Sequence, residues 1–577
     1  MRAVLPLFRY FLFATLLFAC SVSSRRETAE VSVRVRLAAD PESLNPVNYG
    51  PTIGAFQMVN LLFQSLLMVD LADNQYKPLL VGSLPLVERQ DSLTRFTYTL
   101  RPEAKWDNGR SVTVQDVIFS MKVIQCPLVN NEAWRPRYEF IRDIRPDSTN
   151  PRRFTIVGRG YTPDMLFDTG DFFILPAYLF DPKGLLTPFT LPQLMNQFDQ
   201  LSSHPNVRAF AALFNDEPFA RDRTLLRGSG GYALEEWKTG YLRLTKKPGW
   251  WAAPLRISHL TAHPPALSFR IIPDVTTALV LLKNRQLDVL AEIPAGEFVR
   301  LRKDATIRQN YALFTPQTFK VTFIGLNGRL PKLAHRKTRQ ALAHLVDVNA
   351  VIQATQRGFA IPTVGLVSPK DLNYYNRAIR PRRYDVAEAE RLLREAGWQR
   401  RDGRWVKQAE EEEISLTLTL CYRTGDPAHE NTALIFQRAA AQLGIPVTVQ
   451  PMENQLLFQS LKSHQFEACI RQLSGPPFVP NLKPYYHSES AQENGRNHTG
   501  FGTAESDSLI EVIGQAPDVA RKAGPLKRLQ AIMHEESNLI FLYFSQERLA
   551  IHRRFTNVKA SGVKPFYDVG AFTLQTP

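Results

Sequence analysis

The 577 residues are 44% hydrophobic and 22% charged, a globular composition that excludes a disordered chain and leaves room for roughly three or four ordinary domains. Lys and Arg outnumber Asp and Glu by 70 to 55, a formal charge of +15. No basic run is interleaved with aromatics, and Arg380-Pro381-Arg382-Arg383 and Arg400-Arg401 are short clusters beside turn residues, so the charge reads as a dispersed positive surface, suited to an anionic membrane and not to nucleic acid.

Arg2 and Arg9 precede an apolar run over 10–19 that ends at Cys20. The run is short for a membrane span and has the form of a signal peptide. Leu17-Phe18-Ala19-Cys20 resembles a bacterial lipobox, in which the small residue before Cys admits a peptidase and the Cys sulfur is lipidated. The expectation is a leader over 1–20, lipidation at Cys20 and a polar tether over 21–30, with several acyl chains holding the protein at a membrane. An ordinary signal peptide with an incidental Cys is the plainer alternative. No later segment is apolar enough to cross a membrane.

Residues 31–37 alternate apolar and polar and read as a strand, the loop Asp40-Pro41 to Pro46 follows, and residues 60–67 read as a helix ending before Asp70. Residues 71–175 form a compact block. Within it Phe96, Tyr98 and Leu100 alternate with Thr97, Thr99 and Arg101, and Asp107-Asn108-Gly109 marks a turn. Thr113 caps the next helix, Asp116 completes an approximate capping box, and Val117, Ile118 and Met121 supply an apolar stripe. A strand at 154–157 closes the block. Residues 176–230 are rich in Pro and Phe and weakly periodic. From Gly228 a hairpin runs through Trp237 and the Gly240 turn to Leu244. A strand at 269–273, a helix at 275–283 and a strand at 287–289 then make a β-α-β unit.

Residues 318–330 read as a strand, His335 to Ala343 as a basic amphipathic helix, and Asp347 starts another. A helix from Tyr384-Asp385 stops at Gly397. A second α/β unit follows: strand 414–422, helix 431–443, strand 447–450, helix 455–463, strand 466–473. Helix 524–538, strand 539–543 and a β-rich return over 545–577 close the chain. The alternation predicts an α/β fold with a mostly parallel sheet, helices on both faces and a ligand beyond the carboxyl ends of the strands.

Cys126, Cys421 and Cys469 remain after Cys20. Cys421 and Cys469 fall in predicted strands of one domain, which leaves both a disulfide and free thiols open. No Cys/His pair has metal-ligand spacing, so no metal is expected. Gly228-Ser229-Gly230 lacks the spacing of a nucleophile elbow, and neither a Walker loop nor a Gly-x-Gly-x-x-Gly turn occurs. The acidic run 410–413 reads as a solvated loop. Neither an enzyme nor a cofactor is implied.

The run from Phe96 to Ile124, with its Lys105-Trp106 pair followed by Asp107 and Gly109, closely resembles the signature segment of the family 5 extracellular solute-binding proteins, the oligopeptide and dipeptide receptors of bacterial ABC importers. Further landmarks fall in the family's order: Asp40-Pro41, Gly228-Ser229-Gly230-Gly231-Tyr232, Leu287-Asp288 without the usual Gly, Arg339 with Ala341, Leu342 and Asp347, Ala396-Gly397, and Asn497 with Gly500-Phe501. The resemblance implies a two-lobed α/β periplasmic-binding-protein fold (class II) with a third domain inserted in lobe one. Lobe one would comprise 31–68, 176–314 and 545–577, the insert 69–175, and lobe two 315–544. It also implies an extracytoplasmic monomer that captures a peptide, a peptide-like compound or another small solute by hinge closure and delivers it to ABC permease subunits. A transport-independent sensor or interaction protein that kept the fold is the alternative.

In peptide-binding members of that family, the strand equivalent to 466–473 leads to an Asp that pairs with the peptide's α-ammonium. Here Ser474 falls near that position, and no carboxylate lies from Ala468 to His487. An ammonium buried without a countercharge costs several kcal/mol, so the strip points away from free-amine peptides. Arg471 is placed either to meet an anionic group through a bidentate fork or to face solvent or pair with a local Glu. The expected ligand contacts are Ile470, Arg471, Gln472, Ser474 and Gly475, together with Tyr49, Gly50, Pro51 and Thr52, where the family's first lobe faces its ligand; a structural loop is the alternative for the second group.

Overall fold

The computed structural model describes residues 32–50, 52–132, 134–409 and 412–575. The leader, Cys20, the tether and Pro51 lie outside the described residues. Two large sheets organise the chain. The first has seven strands in the order Tyr311–Phe314, Leu549–His552, Val289–Leu290, Ser32–Leu37, Ala266–Ile271, Tyr241–Lys246 and Tyr232–Lys238. The second has six: Ala360–Pro362, Leu539–Gln546, Gln317–Leu326, Ala468–Ser474, Leu418–Arg423 and Val447–Met452.

Both sheets are mixed, not mostly parallel. Ser32–Leu37 runs parallel to Ala266–Ile271 and Val289–Leu290, and Leu418–Arg423 runs parallel to Val447–Met452 and Ala468–Ser474; the other pairs are antiparallel. Parallel neighbours need a crossover connection. The helices Val275–Lys283, Pro427–Gln442 and Asn454–Lys462 supply one only for the strands that flank them. The second sheet is covered on both faces. Ile324 and Leu542 enter one core while Val321, Phe323 and Phe541 enter another, as the two-residue period of a strand requires.

A four-stranded antiparallel sheet, Leu86–Gln90, Leu93–Thr99, Arg153–Arg159 and Ile141–Pro146, lies between strands of the first sheet in sequence. Its buried Phe96, Tyr98 and Ile156 belong to one continuous core with Val33, Val35 and Phe269 of the first sheet. The helix Val114–Gln125 carries the capping box expected from Thr113 and Asp116. Asp116 also accepts from Trp106 Nε1 at 3.3 Å and from the Ala177 amide at 3.1 Å. Asp107, at the foot of the turn, pairs with Lys247 and, at 3.1 Å, with Arg227. The segment 96–124 is therefore a joint between the small sheet and the hairpin of the large one.

Several boundaries differ from expectation. The helix placed at 60–67 is Ile53–Leu62: Thr52 Oγ1 accepts from the Ala55 amide at 3.2 Å, and Phe63 leaves the helix in an extended conformation. Residues 176–230 hold five short helices, one with a Thr190/Gln193 capping box. The strand at 414–422 is two strands. Glu412–Ser415 pairs with Arg404–Ala409 in a separate three-stranded sheet, and only Leu418–Arg423 joins the second sheet. Glu412 and Glu413 thus lie in a strand, not a loop, and Glu413 pairs with Arg401 at 2.6 Å. The last long helix is Val519–Glu536, capped by Asp518 and containing Pro525, and a helix Ala504–Gln515 precedes it. Cys421 and Cys469 face each other in register on adjacent strands as free, buried thiols.

One buried ion cluster ties the first sheet together. The Asp288 carboxylate is fully buried and accepts from Arg34 Nε at 2.9 Å, Arg34 Nη2 at 2.8 Å, Arg554 Nε at 3.0 Å and Arg554 Nη2 at 2.6 Å. Burial by itself would raise this carboxyl; the bonds from Arg34 and Arg554 hold it below the ordinary value.

Candidate functional site

A cleft of about 1000 Å³ separates the second sheet from the body formed by the first sheet and the small sheet, at the upper end of the range for ligand sites. One wall comes from the second sheet and its loops: Phe319, Val321, Leu473, the segment 474–482 and Phe544. It is apolar and rich in Pro. The Gly475 amide donates to Phe319 O at 2.8 Å, which turns the chain away from its strand and into the cleft.

The opposite wall is charged. Asp164 precedes the short helix Met165–Asp168, and Arg137 lies in the single 3-10 turn Arg135–Tyr138. Arg137 Nε donates to Asp168 Oδ1 at 2.6 Å, and its Nη2 pairs with Asp171 Oδ2 at 2.9 Å. The same guanidinium stacks 5.0 Å over the Phe167 ring. Burial pushes the Asp168 and Asp171 carboxyls up to about 6 against the pull of Arg137, and it raises Asp164 as well. Asp164, Asp168 and Asp371 line the cleft against the cations Arg137 and Lys370, and Asp73 at its edge is paired with Lys77 at 2.6 Å. The arrangement holds an excess of carboxylate in a partly dry space, which favours a cation.

The two walls touch. The Asn481 amide donates to Asp164 Oδ1 at 3.1 Å and Oδ2 at 3.2 Å. The Phe478 ring centroid lies 4.9 Å from that of Tyr76 and 5.5 Å from that of Phe167, which are themselves stacked at 5.7 Å. Arg89 Nη1 reaches Gln515 O at 3.2 Å at the margin. Phe478 thus packs against both aromatics of the facing body and bridges the two walls.

Of the expected contacts, Ser474 and Gly475 line the cleft. Ile470 is buried in a core of the second sheet, and Gln472, on the same strand face, donates to Thr322 Oγ1 at 3.4 Å and Ser545 Oγ at 3.3 Å. Arg471 projects from the face that carries Cys469, close enough that its charge adds to burial in holding His498 down at about 4. Tyr49 is buried against Trp134, Phe173 and Phe56, with centroids at 5.6, 6.1 and 6.3 Å. Gly50 takes a positive φ of 76°, and Thr52 caps a helix. Tyr49, Gly50 and Thr52 are not among the residues that line the cleft; the Tyr49 ring and the Thr52 hydroxyl are engaged within the chain. The strip's lack of a carboxylate does not leave the cleft without one, since the acids come from the facing wall. Asp164, Asp168 and Asp171 recur at i, i+4, i+7, the spacing of one helix face, although the helix itself spans only Met165–Asp168. Arg137, Tyr76, Phe167 and Phe478 carry no local signal of their role. Among the described residues no group of three or more His, Cys, Asp or Glu is placed to hold a metal, and no helix is long and apolar enough to cross a membrane.

Residues 75–494 match the family described as bacterial extracellular solute-binding proteins, family 5 middle. Among similar proteins, the oligopeptide-binding protein AppA of Bacillus subtilis is 22% identical over 494 residues, 85% of this chain and 82% of that protein. Protein XP55 of Streptomyces lividans is 25% identical over 89% and 84% of the two chains, and the nickel-binding periplasmic protein of Escherichia coli is 22% identical over 87% and 88%. The solved structure of Bacillus subtilis AppA with a nonapeptide superposes with a TM-score of 0.66 at 20% identity, over 95% of this chain and 99% of that one. NikA of Brucella suis with Fe(III)-EDTA gives 0.71 at 17% identity, over 94% and 100%.

Proposed function

The chain belongs to the family 5 bacterial extracellular solute-binding proteins, and from that premise we propose that its cleft captures a peptide or peptide-like solute through a cationic group. The family consists of binding proteins of ABC importers and not of enzymes, and its members act outside the cytoplasm. Similar proteins are named for oligopeptides and for nickel, so the choice of ligand falls to the cleft. The observation that carries the reading is the acid-rich wall: Asp164 and Asp168 face the cleft, and Arg137 is shared between Asp168 and Asp171. An ammonium arriving there supplies the countercharge that burial makes scarce.

In this reading the segments 31–68, 176–314 and 545–577 form lobe one with 69–175 inserted, and 315–544 form lobe two. The lobes close on the solute by a hinge, with Phe478 and Asn481 engaging Tyr76, Phe167 and Asp164 as the latch. A lipid on Cys20 holds the monomer at the membrane beside the ABC permease that receives the solute. The test is calorimetry with free-amine pentapeptides and their N-acetylated forms at pH 7. Binding of the free-amine forms, weakened at least tenfold by acetylation, is expected; equal binding of the two forms would sink the cationic reading.

A further inference from the structure

The two walls of the cleft differ in more than geometry. From Gln472 to Leu482 the strand end and the loop beyond it carry no charged residue, and Phe319, Leu473, Pro476 and Pro477 line the space. Two large apolar side chains of the same body are left open to it. Leu372 lines the cleft and is 64% exposed, more than any other large apolar side chain among the described residues. Tyr485 lines the same space and is 37% exposed. A lone exposed leucine on an outer surface is ordinary. Inside a concave site with an uncharged wall, it leaves water against carbon that a ligand can displace.

Both side chains sit on held backbone. Asp371 Oδ1 accepts from the Asn373 and Tyr374 amides, each at 3.1 Å, an Asx turn that fixes the chain around Leu372. Asn376 then ties the loop to the helix Val519–Glu536: its amide donates to Gln530 Oε1 at 3.2 Å and its Nδ2 to Lys527 O at 2.9 Å. Leu366 and Val367, before the loop, pack into the same core as Leu482 and Tyr486, which flank Tyr485. The Tyr485 hydroxyl accepts from Arg496 Nη1 at 3.2 Å, so the ring is what this residue has left to offer. The neighbouring Asp371 is spent on the turn, whereas Lys370 is exposed and has no ion pair among the described residues. We propose that Leu372 and Tyr485 form an apolar subsite of the cleft that takes a bulky apolar side chain of the same solute whose cationic group meets Asp164 and Asp168. The proposal rests on the solute-binding reading above and narrows its substrate class to amphipathic cations, such as peptides with an aromatic or branched residue at one position relative to the free amine.

The experiment uses the purified full chain and free-amine pentapeptides of alanine in which a single Phe, Ser or Asp is moved through the five positions, with affinities read by calorimetry. At one position the Phe peptide is expected to bind about tenfold tighter than the Ser peptide, the order of magnitude for burying a large apolar side chain. Leu372→Ser and Tyr485→Ser are each expected to lower that ratio about threefold, with melting temperature as the check on folding. Leu434→Ser, at a helix position 46% exposed and outside the cleft lining, is expected to leave it unchanged. The wild-type series decides whether the subsite exists even if a variant fails to fold. Equal binding of Phe and Ser peptides at every position overturns the subsite and leaves the cationic reading standing, since acetylation judges that reading separately. A preference for Asp gives this end of the cleft to an anionic group at Lys370 and overturns the proposal. A Phe preference that survives both substitutions, or that falls equally with Leu434→Ser, overturns the roles of Leu372 and Tyr485. Failure of every peptide to bind overturns both the subsite and the reading on which it rests.

Discussion

At Asp288 one carboxylate lies between two guanidiniums, and at Arg137 one guanidinium lies between two carboxylates. The ingredients are the same and the stoichiometry is inverted. Asp288 receives four guanidinium bonds and the Arg34 amide at 2.8 Å, so its carboxyl stays below the ordinary value in spite of complete burial. Asp168 and Asp171 divide one base between them, and burial wins, pushing both up to about 6. A cluster whose buried acid is fully met is scaffold. One left with acid in excess beside a cleft carries charge that its own chain does not fully balance, and such perturbed groups mark candidate sites.

The contrast breaks first at the scaffold cluster. Asp288→Ala strands Arg34 and Arg554 without their countercharge and is expected to cost about 3 kcal/mol of unfolding free energy in denaturant titrations; a cost near zero would remove the structural reading of that cluster. Arg137→Met leaves two acids facing each other and is expected to cost about 2 kcal/mol at pH 8 and far less at pH 5, where the acids take up protons. A cost independent of pH would show that the guanidinium acts by packing alone.

The signs of the two clusters in pH differ and sharpen the comparison further. A carboxyl raised in the fold binds its proton more tightly there than in the unfolded chain. Its stabilising contribution is therefore complete below about 4, declines as pH rises from there to about 6, and is flat above. Asp168→Asn should accordingly gain on the parent protein in melting temperature between pH 4 and 6 and keep that gain at pH 8. Asp288→Asn should do the reverse: a lowered carboxyl stabilises above its unfolded value, and its loss matters least in acid. Identical pH profiles for the two variants would abolish the distinction.

The smallest expected effect is at the latch. Phe478→Ala removes two ring contacts across the cleft, worth about 1 kcal/mol each at most. It should speed peptide dissociation several-fold while leaving the melting temperature of the unliganded chain nearly unchanged. An unaltered dissociation rate would mean that closure does not depend on this ring.

Much of the fold was legible because the signals were local. Thr113 and Asp116 cap their helix as expected, Asp385 and Gly397 bracket Val386–Glu395, and the hairpin turns at Gly240. Errors came where a local pattern lost to a longer-range one. The apolar run ending at 67 suggested a helix, but Phe63 turns extended and Leu67–Val69 pairs with Tyr76–Pro78. The continuous pattern over 414–422 hid a strand shared out between two sheets.

The cleft was legible only in part. Ser474 and Gly475, which follow the end of a recognisable strand, line the cleft, whereas Tyr49 packs against Trp134 and Thr52 caps a helix. Capping, turn formation and strand period depend on residues within a few positions of one another, and together with the ordered landmarks they determined the elements and the family from the chain alone. Only the tertiary structure decided where the charge sits and which residues of each strand line the cleft. Arg137, Asp168, Phe478 and Phe544 are brought to one cavity from segments hundreds of residues apart, and a countercharge acts through distance in space and dielectric, neither of which is written in the order of residues.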